Sequence, residues 1–333
     1  MKVTIDEVAK QAGVSKATVS RILNGNYGQT TEQTKDRVLR IIRELDYRPN
    51  PHARALKQMK TNVIGIVLSN LKNSFWTRVL EGVEDSCRIS GYSLMICNSN
   101  EDPKLELELI RGLIMRQVDG ILVNPTVKNG LYFEELISER YPLVFINRKI
   151  TGIEADSVVV DNIKGARLAT DHFIGIGKKK IVMFVYVPDG ISTWQERVDG
   201  YRETMRHSGL EPVVIEVPNR AGAAKISALE YLRLSPDAEA VFSTNNMMTL
   251  EILEAVKELK LEIPRDIGII GYDETVWAQH LHPPLTTVKQ PAYEMGVLAA
   301  KNVMKRITAK TKLRPKFIVL EPELIVRNSC GMG

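Results

Sequence analysis

From Asn62 onward the chain alternates short apolar runs with amphipathic stretches, and this alternation constrains the fold more than any other feature. Strand-like runs fall at 63–68, 92–97, 120–123, 143–146 and 157–160, then resume at 181–187, 213–217, 240–242 and 267–270. Helical stretches lie between them, at 75–89, 105–116, 166–174, 194–207 and 249–259. Strands separated by helices specify parallel sheets covered on both faces by crossover helices. The pattern runs once before about residue 161 and once after it, which predicts two similar lobes.

In open sheets of this kind ligands bind beyond the carboxyl ends of the strands, and a cleft between two lobes is a common site. Polar residues collect at those ends: Asn98, Asn124, Asn147 with Arg148, Asp161, Asn245 with Asn246, and Asp273. Strand-to-helix turns favour Asn and Asp as turn formers and helix caps in any case. Each of these residues therefore carries two readings, ligand contact or cap.

The first 60 residues have a different character. Ile5, Val8, Ala9 and Ala12 follow the spacing of one helix face, with Thr4 placed to cap it and Gly13 to end it. Ser15 can cap a second short helix, in which Val19, Ile22 and Leu23 point one way and Lys16, Ala17, Ser20, Arg21 and Asn24 the other. After a Gly- and Asn-rich loop, Thr30 or Thr31 opens a third helix with Val38, Ile41, Ile42 and Leu45 on one face. Two short helices joined by a glycine turn are the helix-turn-helix arrangement. Lys16, Ala17 and Arg21 are then placed to read base edges in a major groove, while Thr18 and Ser20 can hold phosphates.

Charge supports this division. The chain carries 45 Lys+Arg against 40 Asp+Glu, a formal +5. Residues 1–60 hold 12 bases and 6 acids, and the rest hold 33 bases and 34 acids. A basic head is joined to a nearly neutral body. The joint, Tyr47-Arg48-Pro49-Asn50-Pro51, is broken by prolines and leads to His52-Ala53-Arg54-Ala55-Leu56-Lys57. This stretch is too short to be a stable helix alone, but beside a DNA-binding head it can order on the minor groove, with Leu56 as a wedge and Arg54 and Lys57 as its charges.

Several classes of function are disfavoured. No apolar run approaches the roughly 18 residues needed to cross a bilayer, and the N-terminus has no signal-peptide core, so a cytoplasmic protein without a membrane partner is expected. Cys87, Cys97 and Cys330 have no metal-ligand spacing; the first two read as reduced core residues and the last as a frayed, exposed thiol. His280 and His282 lack a third ligand at a recognised spacing. Gly175-Ile176-Gly177, followed by three lysines, completes no phosphate-binding loop. Neither enzymatic activity nor a cofactor or metal is expected. A transporter's solute-binding protein would fit the body but not the basic head.

Taken together these residues resemble the lactose-repressor family of bacterial transcriptional regulators, which includes the galactose and purine repressors. The head reads Thr4-Ile5-Asp6-Glu7-Val8-Ala9, Ala12-Gly13-Val14-Ser15, Thr18-Val19-Ser20-Arg21 and Leu23-Asn24, close to that family's signature. The hinge Ala53-Arg54-Ala55-Leu56, and Val118-Asp119-Gly120, Ile269-Ile270-Gly271-Tyr272-Asp273, Pro284-Leu285-Thr286-Thr287-Val288 and Leu324-Ile325-Val326-Arg327 in the body, match too.

The resemblance implies an α/β architecture in three parts: a helix-turn-helix head at 1–48, a hinge helix at 49–60 and a two-lobed periplasmic-binding-protein-like body at 61–333. The first lobe would comprise 61–160 and 291–318, the second 161–290 and 319–333. It implies a homodimer on a near-palindromic double-stranded operator, whose affinity a small molecule in the cleft switches. A regulator of carbohydrate catabolism genes is expected. The implied DNA contacts are Thr4, Ser15, Lys16, Ala17, Thr18, Ser20, Arg21 and Asn24, with Ala53, Arg54, Leu56 and Lys57 in the hinge. The implied effector contacts are Phe75, Trp76, Asn147, Arg148, Asp161, Arg197, Asn245 and Asp273, to which its strand-end position adds Asn124. Phe75 and Trp76 can stack on a pyranose, and the Asp and Asn side chains suit hydroxyls. Arg148 points to a sugar acid if it meets the ligand, or leaves a neutral sugar if it is a solvated loop residue. A purine-type or phosphoprotein corepressor is the alternative. No leucine heptad follows Arg327, so the added helix of tetrameric relatives is not expected.

Overall fold

The computed structural model describes residues 3–23, 27, 30–45, 47 and 60–331. The expected contacts Asn24, Ala53, Arg54, Leu56 and Lys57, with nearly all of the hinge, lie outside the described residues. The chain forms two compact units, 1–61 and 62–333.

In the first unit, α1 (Ile5–Ala12) begins in a capping box. Thr4 Oγ1 accepts from the Glu7 amide at 3.4 Å and the Glu7 carboxylate accepts from the Thr4 amide at 2.7 Å. Such a cap stabilises a helix by about 1 kcal/mol. Gly13, at φ 61°, takes the left-handed conformation that ends the helix and turns the chain. α2 (Lys16–Leu23) follows, with Ser15 Oγ accepting from the Thr18 amide at 3.2 Å. Thr31 caps α3 (Glu32–Glu44) in the same way. Val8, Ala9, Ala12, Val19, Ile22, Val38 and Ile41 close one miniature core between the three helices.

The second unit contains two six-stranded sheets. The first runs in the order β2 (Ser93–Asn98), β1 (Val63–Leu68), β3 (Gly120–Val123), β4 (Leu143–Ile146), β5 (Asp156–Val160) and β11 (Phe317–Leu320). The second runs β7 (Val213–Val217), β6 (Ile181–Tyr186), β8 (Ala240–Ser243), β9 (Gly268–Tyr272), β10 (Thr286–Lys289) and β12 (Glu323–Ile325). Central strands such as β3, β4 and β8 are buried on both faces, which is why they read as continuous apolar runs rather than alternations. Between strands lie α4 (Phe75–Ile89), α5 (Pro103–Met115), α6 (Gly130–Ser138), α7 (Asn162–Gly175), α8 (Ser192–His207), α9 (Ala223–Leu234), α10 (Asn246–Glu258) and α11 (Ala292–Thr308).

Three departures from the sequence reading stand out. β12 is antiparallel to β10, because the chain passes directly from β11 in one sheet to β12 in the other with no crossover helix to reverse it. Val319 and Leu320, expected in the second lobe, pair with Val159 and Val160 in the first sheet, so that crossing falls after Leu320. Cys330, expected to be a frayed thiol, is fully buried. A short turn at Asn328–Cys330 is pinned there by Ser329, whose Oγ donates to the Ile269 carbonyl at 2.6 Å and accepts from the Thr286 amide at 2.8 Å.

α4 and α11 pack on one face of the first sheet at unusually close range. A Cβ at Gly82 would lie 2.1 Å from the Tyr293 carbonyl oxygen, and one at Gly296 would lie 2.1 Å from that of Val79. Only glycine permits that approach at either position.

Candidate functional site

The carboxyl ends of both sheets face one cleft. From the first lobe come Ser69, Asn70, Asn73, Phe75 and Trp76 after β1, Glu101 after β2, and Asn147 with Arg148 after β4. From the second come Thr193, Trp194 and Arg197 on α8, Asn219 after β7, Asn245 after β8 and Asp273 after β9, with Gln290 after β10. The cleft is nearly closed: it encloses only about 40 Å³, and about 470 Å³ when the open solvent at its mouth is counted.

Local backbone chemistry aims these groups. Asn147 and Asp273 follow the fourth strand of their respective lobes, and both are left-handed, at φ 65° and 75°. Asn and Asp tolerate that conformation better than most residues. Asn245 is the N-cap of α10, its Oδ1 accepting from the Met247 amide at 2.9 Å. Asp273 is buried, with Gln290 Nε2 donating to one carboxylate oxygen at 2.5 Å and Asn73 Nδ2 to the other at 3.3 Å. The Asn73 bond crosses from lobe to lobe, as do the bonds from Asn246 Nδ2 to Asn73 Oδ1 and to Ser74 Oγ, each 2.9 Å.

The two arginines are held differently. Arg197 donates from Nε to Asn162 Oδ1 at 3.0 Å and from Nη1 to the Thr244 carbonyl at 2.6 Å, with its guanidinium 3.6 Å from the Tyr272 ring centre. Burial pushes the Tyr272 phenol up to about 12, so it remains a neutral donor, to Asn162 Oδ1 at 3.4 Å. Arg148 is not a solvated loop residue. It is 4% exposed, and its Nη1 and Nη2 donate to the two carboxylate oxygens of Glu101 at 2.7 and 2.6 Å. Its guanidinium lies 5.4 Å from the ring centre of Trp194 in the other lobe. The cleft thus sets two guanidiniums against two carboxylates, Glu101 and Asp273.

Several buried polar atoms of this cleft have no partner among the described residues: Asn147 Oδ1, Arg148 Nε and Gln290 Oε1. Buried polar groups are nearly always satisfied, so such atoms mark where a ligand or water would bond.

Seven of the nine expected effector residues meet here: Phe75, Trp76, Asn147, Arg148, Arg197, Asn245 and Asp273. The other two do not reach the cleft wall. Asn124 is fully buried and spends its Nδ2 on the Ile146 carbonyl at 2.9 Å, bracing the ends of β3 and β4. Asp161 caps α7, accepting from the Lys164 amide at 2.8 Å. For these two, the capping and bracing readings describe what the side chains do. Asn73, Glu101, Trp194 and Gln290 were missed. The strand-end rule that selected Asn98 would have reached Glu101 three residues later, whereas Gln290 follows β10, a strand that the apolar runs of the sequence did not mark.

In the head, Thr4, Ser15, Lys16 and Ala17 are exposed, and Thr18, Ser20 and Arg21 are half-buried along α2. Lys16 Nζ lies 2.5 Å from Asp6 on α1, a surface pair that contributes at most about 1 kcal/mol and that a phosphate or base could replace. Among the described residues no His, Cys, Asp and Glu group could hold a metal, and no helix is long and apolar enough to cross a membrane.

Comparison with known proteins agrees with this geometry. Residues 4–50 match bacterial regulatory proteins of the lacI family, and residues 170–330 match the periplasmic binding protein-like domain. The probable HTH-type transcriptional regulator EndR of Paenibacillus polymyxa is 34% identical over 321 residues, 93% of this chain and 92% of that protein. The ribose operon repressor of Bacillus subtilis is 36% identical over 299 residues, 90% of each chain. Among solved structures, the transcriptional regulator CelR in complex with cellobiose has a TM-score of 0.73 and 30% identity, covering 98% of this chain and 99% of that one.

Proposed function

Because this chain belongs to the lacI family of bacterial regulatory proteins and is a DNA-binding transcriptional regulator, we propose that a neutral sugar bound between its lobes switches its affinity for an operator. The observation that carries the ligand class is the Arg148–Glu101 pair. A sugar acid would need a cation free to meet its carboxylate; Glu101 occupies both terminal nitrogens of Arg148, and Arg197 spends Nε and Nη1 on Asn162 and the Thr244 carbonyl. Asp273, with the amides of Asn147, Asn245 and Gln290, can both donate to and accept from hydroxyl groups. Phe75, Trp76 and Trp194 offer apolar surface for a sugar ring. A relative named for a ribose operon and another solved with cellobiose support a sugar.

In this reading α2 enters the major groove, with Lys16, Ala17 and Arg21 at base edges and Thr18 and Ser20 at phosphates. Two copies bind a near-palindromic site. Exposed apolar residues on both lobes, Ile89 and Ile96 on the first and Ile226 and Leu234 on the second, supply surface for a self-complementary interface. The ligand bridges two lobes that already bond through Asn73, Asp273 and Asn246, so it binds one lobe arrangement better than another. By linkage, DNA favours its own arrangement to the same degree. Anisotropy of a duplex from the chain's own upstream region, titrated with neutral sugars, tests the reading. Asp273→Asn keeps the left-handed turn and should keep DNA binding while losing the response; a retained response would remove Asp273 from the site.

A further inference from the structure

The near-neutral charge of the body conceals a segregation. Between Lys301 and Lys316, the second half of α11 and the loop into β11, there are seven Lys and Arg residues and no acid, leaving 26 bases against 34 acids elsewhere in residues 61–333. Arg306 is committed to Asp156. The other six, Lys301, Lys305, Lys310, Lys312, Arg314 and Lys316, are exposed and have no ion-pair partner among the described residues. Other lysines of the body, such as Lys149, Lys164, Lys225 and Lys289, are paired. Six adjacent unpaired cations repel one another, a cost that a bound polyanion relieves.

Their position matters as much as their number. The Lys316 carbonyl accepts from the Ser157 amide at the start of β5, and Val303 and Ile307 pack beside Gly120 at the start of β3. The stretch therefore lies at the amino end of the first sheet, opposite the cleft. The chain enters the body at this same end, where the Asn62 amide donates to Asp119 just ahead of β3. Only residues 48–61 separate Tyr47 of the head from that entry, a tether of at most about 50 Å. The loop residues Ala309 to Leu313, with Arg140 and Tyr141, line a shallow groove there, whose acids are Glu154 and the Asp156 already paired with Arg306. The exposed side chains of the stretch are Lys, Arg, Thr, Ala and Pro, with no aromatic anchor of the kind on which protein partners dock.

We propose that this basic face is a second, sequence-independent nucleic-acid surface, which holds phosphates of the duplex beside the site read by the head. Phosphate contacts of this kind release counterions, so each contributes about 0.9 to the slope of log K against log salt. The test uses the full chain and a random-sequence 60-base-pair duplex, with affinity measured across a potassium chloride series. A triple variant, Lys310→Gln, Lys312→Gln and Arg314→Gln, should lower the slope by roughly 2 to 3 per protomer. A control with equal charge loss in the second lobe, Lys179→Gln, Lys257→Gln and Lys260→Gln, should keep the wild-type slope, and both variants should keep the wild-type melting temperature. An unchanged slope in the patch variant, or an equal fall in the control, would overturn the proposal and leave the patch to another polyanion. Failure of the wild type to bind the random duplex at low salt would also overturn it.

Discussion

Both terminal nitrogens of the Arg148 guanidinium are bonded by the two carboxylate oxygens of Glu101, at 2.7 and 2.6 Å, inside a cleft that otherwise offers amides, hydroxyls, aromatic rings and one further Arg and Asp. Glu101 stands where a ligand carboxylate forked by Arg148 would have to stand. Removing its charge should therefore change which ligands the cleft accepts. Glu101→Gln leaves a nearly buried cation unpaired, which costs roughly 3–5 kcal/mol, and its melting temperature should fall accordingly. Galacturonate or gluconate should then raise the melting temperature of the variant more than that of the wild type. Equal shifts in the two proteins would mean that Arg148 does not set the charge preference.

Arg21→Ala removes the side chain best suited to fork a guanine. One such contact discriminates between bases by about 1–3 kcal/mol, so competition between operator and random duplex should narrow by one to two orders of magnitude. Ligand-induced stabilisation should be unaffected. Unchanged competition would take Arg21 out of the base-reading set.

The contact between α4 and α11 is a sharper structural test. Gly82→Ala and Gly296→Ala each place a Cβ 2.1 Å from a backbone oxygen of the facing helix, and neither helix can yield without disturbing the sheet beneath. Overpacking of this kind costs about 1–3 kcal/mol or more, so the urea midpoint of either variant should fall. A midpoint equal to wild type would show that the helices can separate at no cost.

Thiol chemistry reports on the end of the chain. Burial pushes the Cys330 thiol up and that of Cys87 up to about 11, so neither carries appreciable thiolate at neutral pH. Alkylation followed by mass spectrometry should leave both unlabelled in the native protein and label both in denaturant. Rapid native labelling of Cys330 would mean that the turn at Asn328–Cys330 does not stay docked.

The sequence carried the large elements and lost the contacts that cross between them. Apolar runs such as 143–146 announced buried parallel strands because both faces of each strand are covered, and the spacing of Val8, Ala9, Ala12 and Val19 announced the head because its core is local. Of the seven effector candidates that line the cleft, Asn147, Arg148, Asn245 and Asp273 fall there because strand ends converge in any doubly wound sheet, whereas Phe75, Trp76 and Arg197 came from the family resemblance. What could not be read was pairing at a distance. Glu101 lies 47 residues from Arg148, and nothing in either neighbourhood states that they meet. Asn124 and Asp161 failed for the opposite reason, since the turn and cap chemistry that makes Asn and Asp common at strand ends had already used their side chains. Cys330 was misjudged because nearness to the end of a sequence says nothing about a turn docked by Ser329.

The most direct measurement of the central claim is the melting temperature of the full chain with matched pairs of ligands: galactose against galacturonate, glucose against gluconate, and cellobiose. A ligand selective for the folded state raises the melting point, with a stabilisation that grows as the logarithm of its concentration over its dissociation constant. The account predicts an upward shift with a neutral sugar, none with its matched acid, and loss of the shift in Asp273→Asn. A larger shift with an acid than with its neutral partner, or a shift that survives Asp273→Asn, would contradict it.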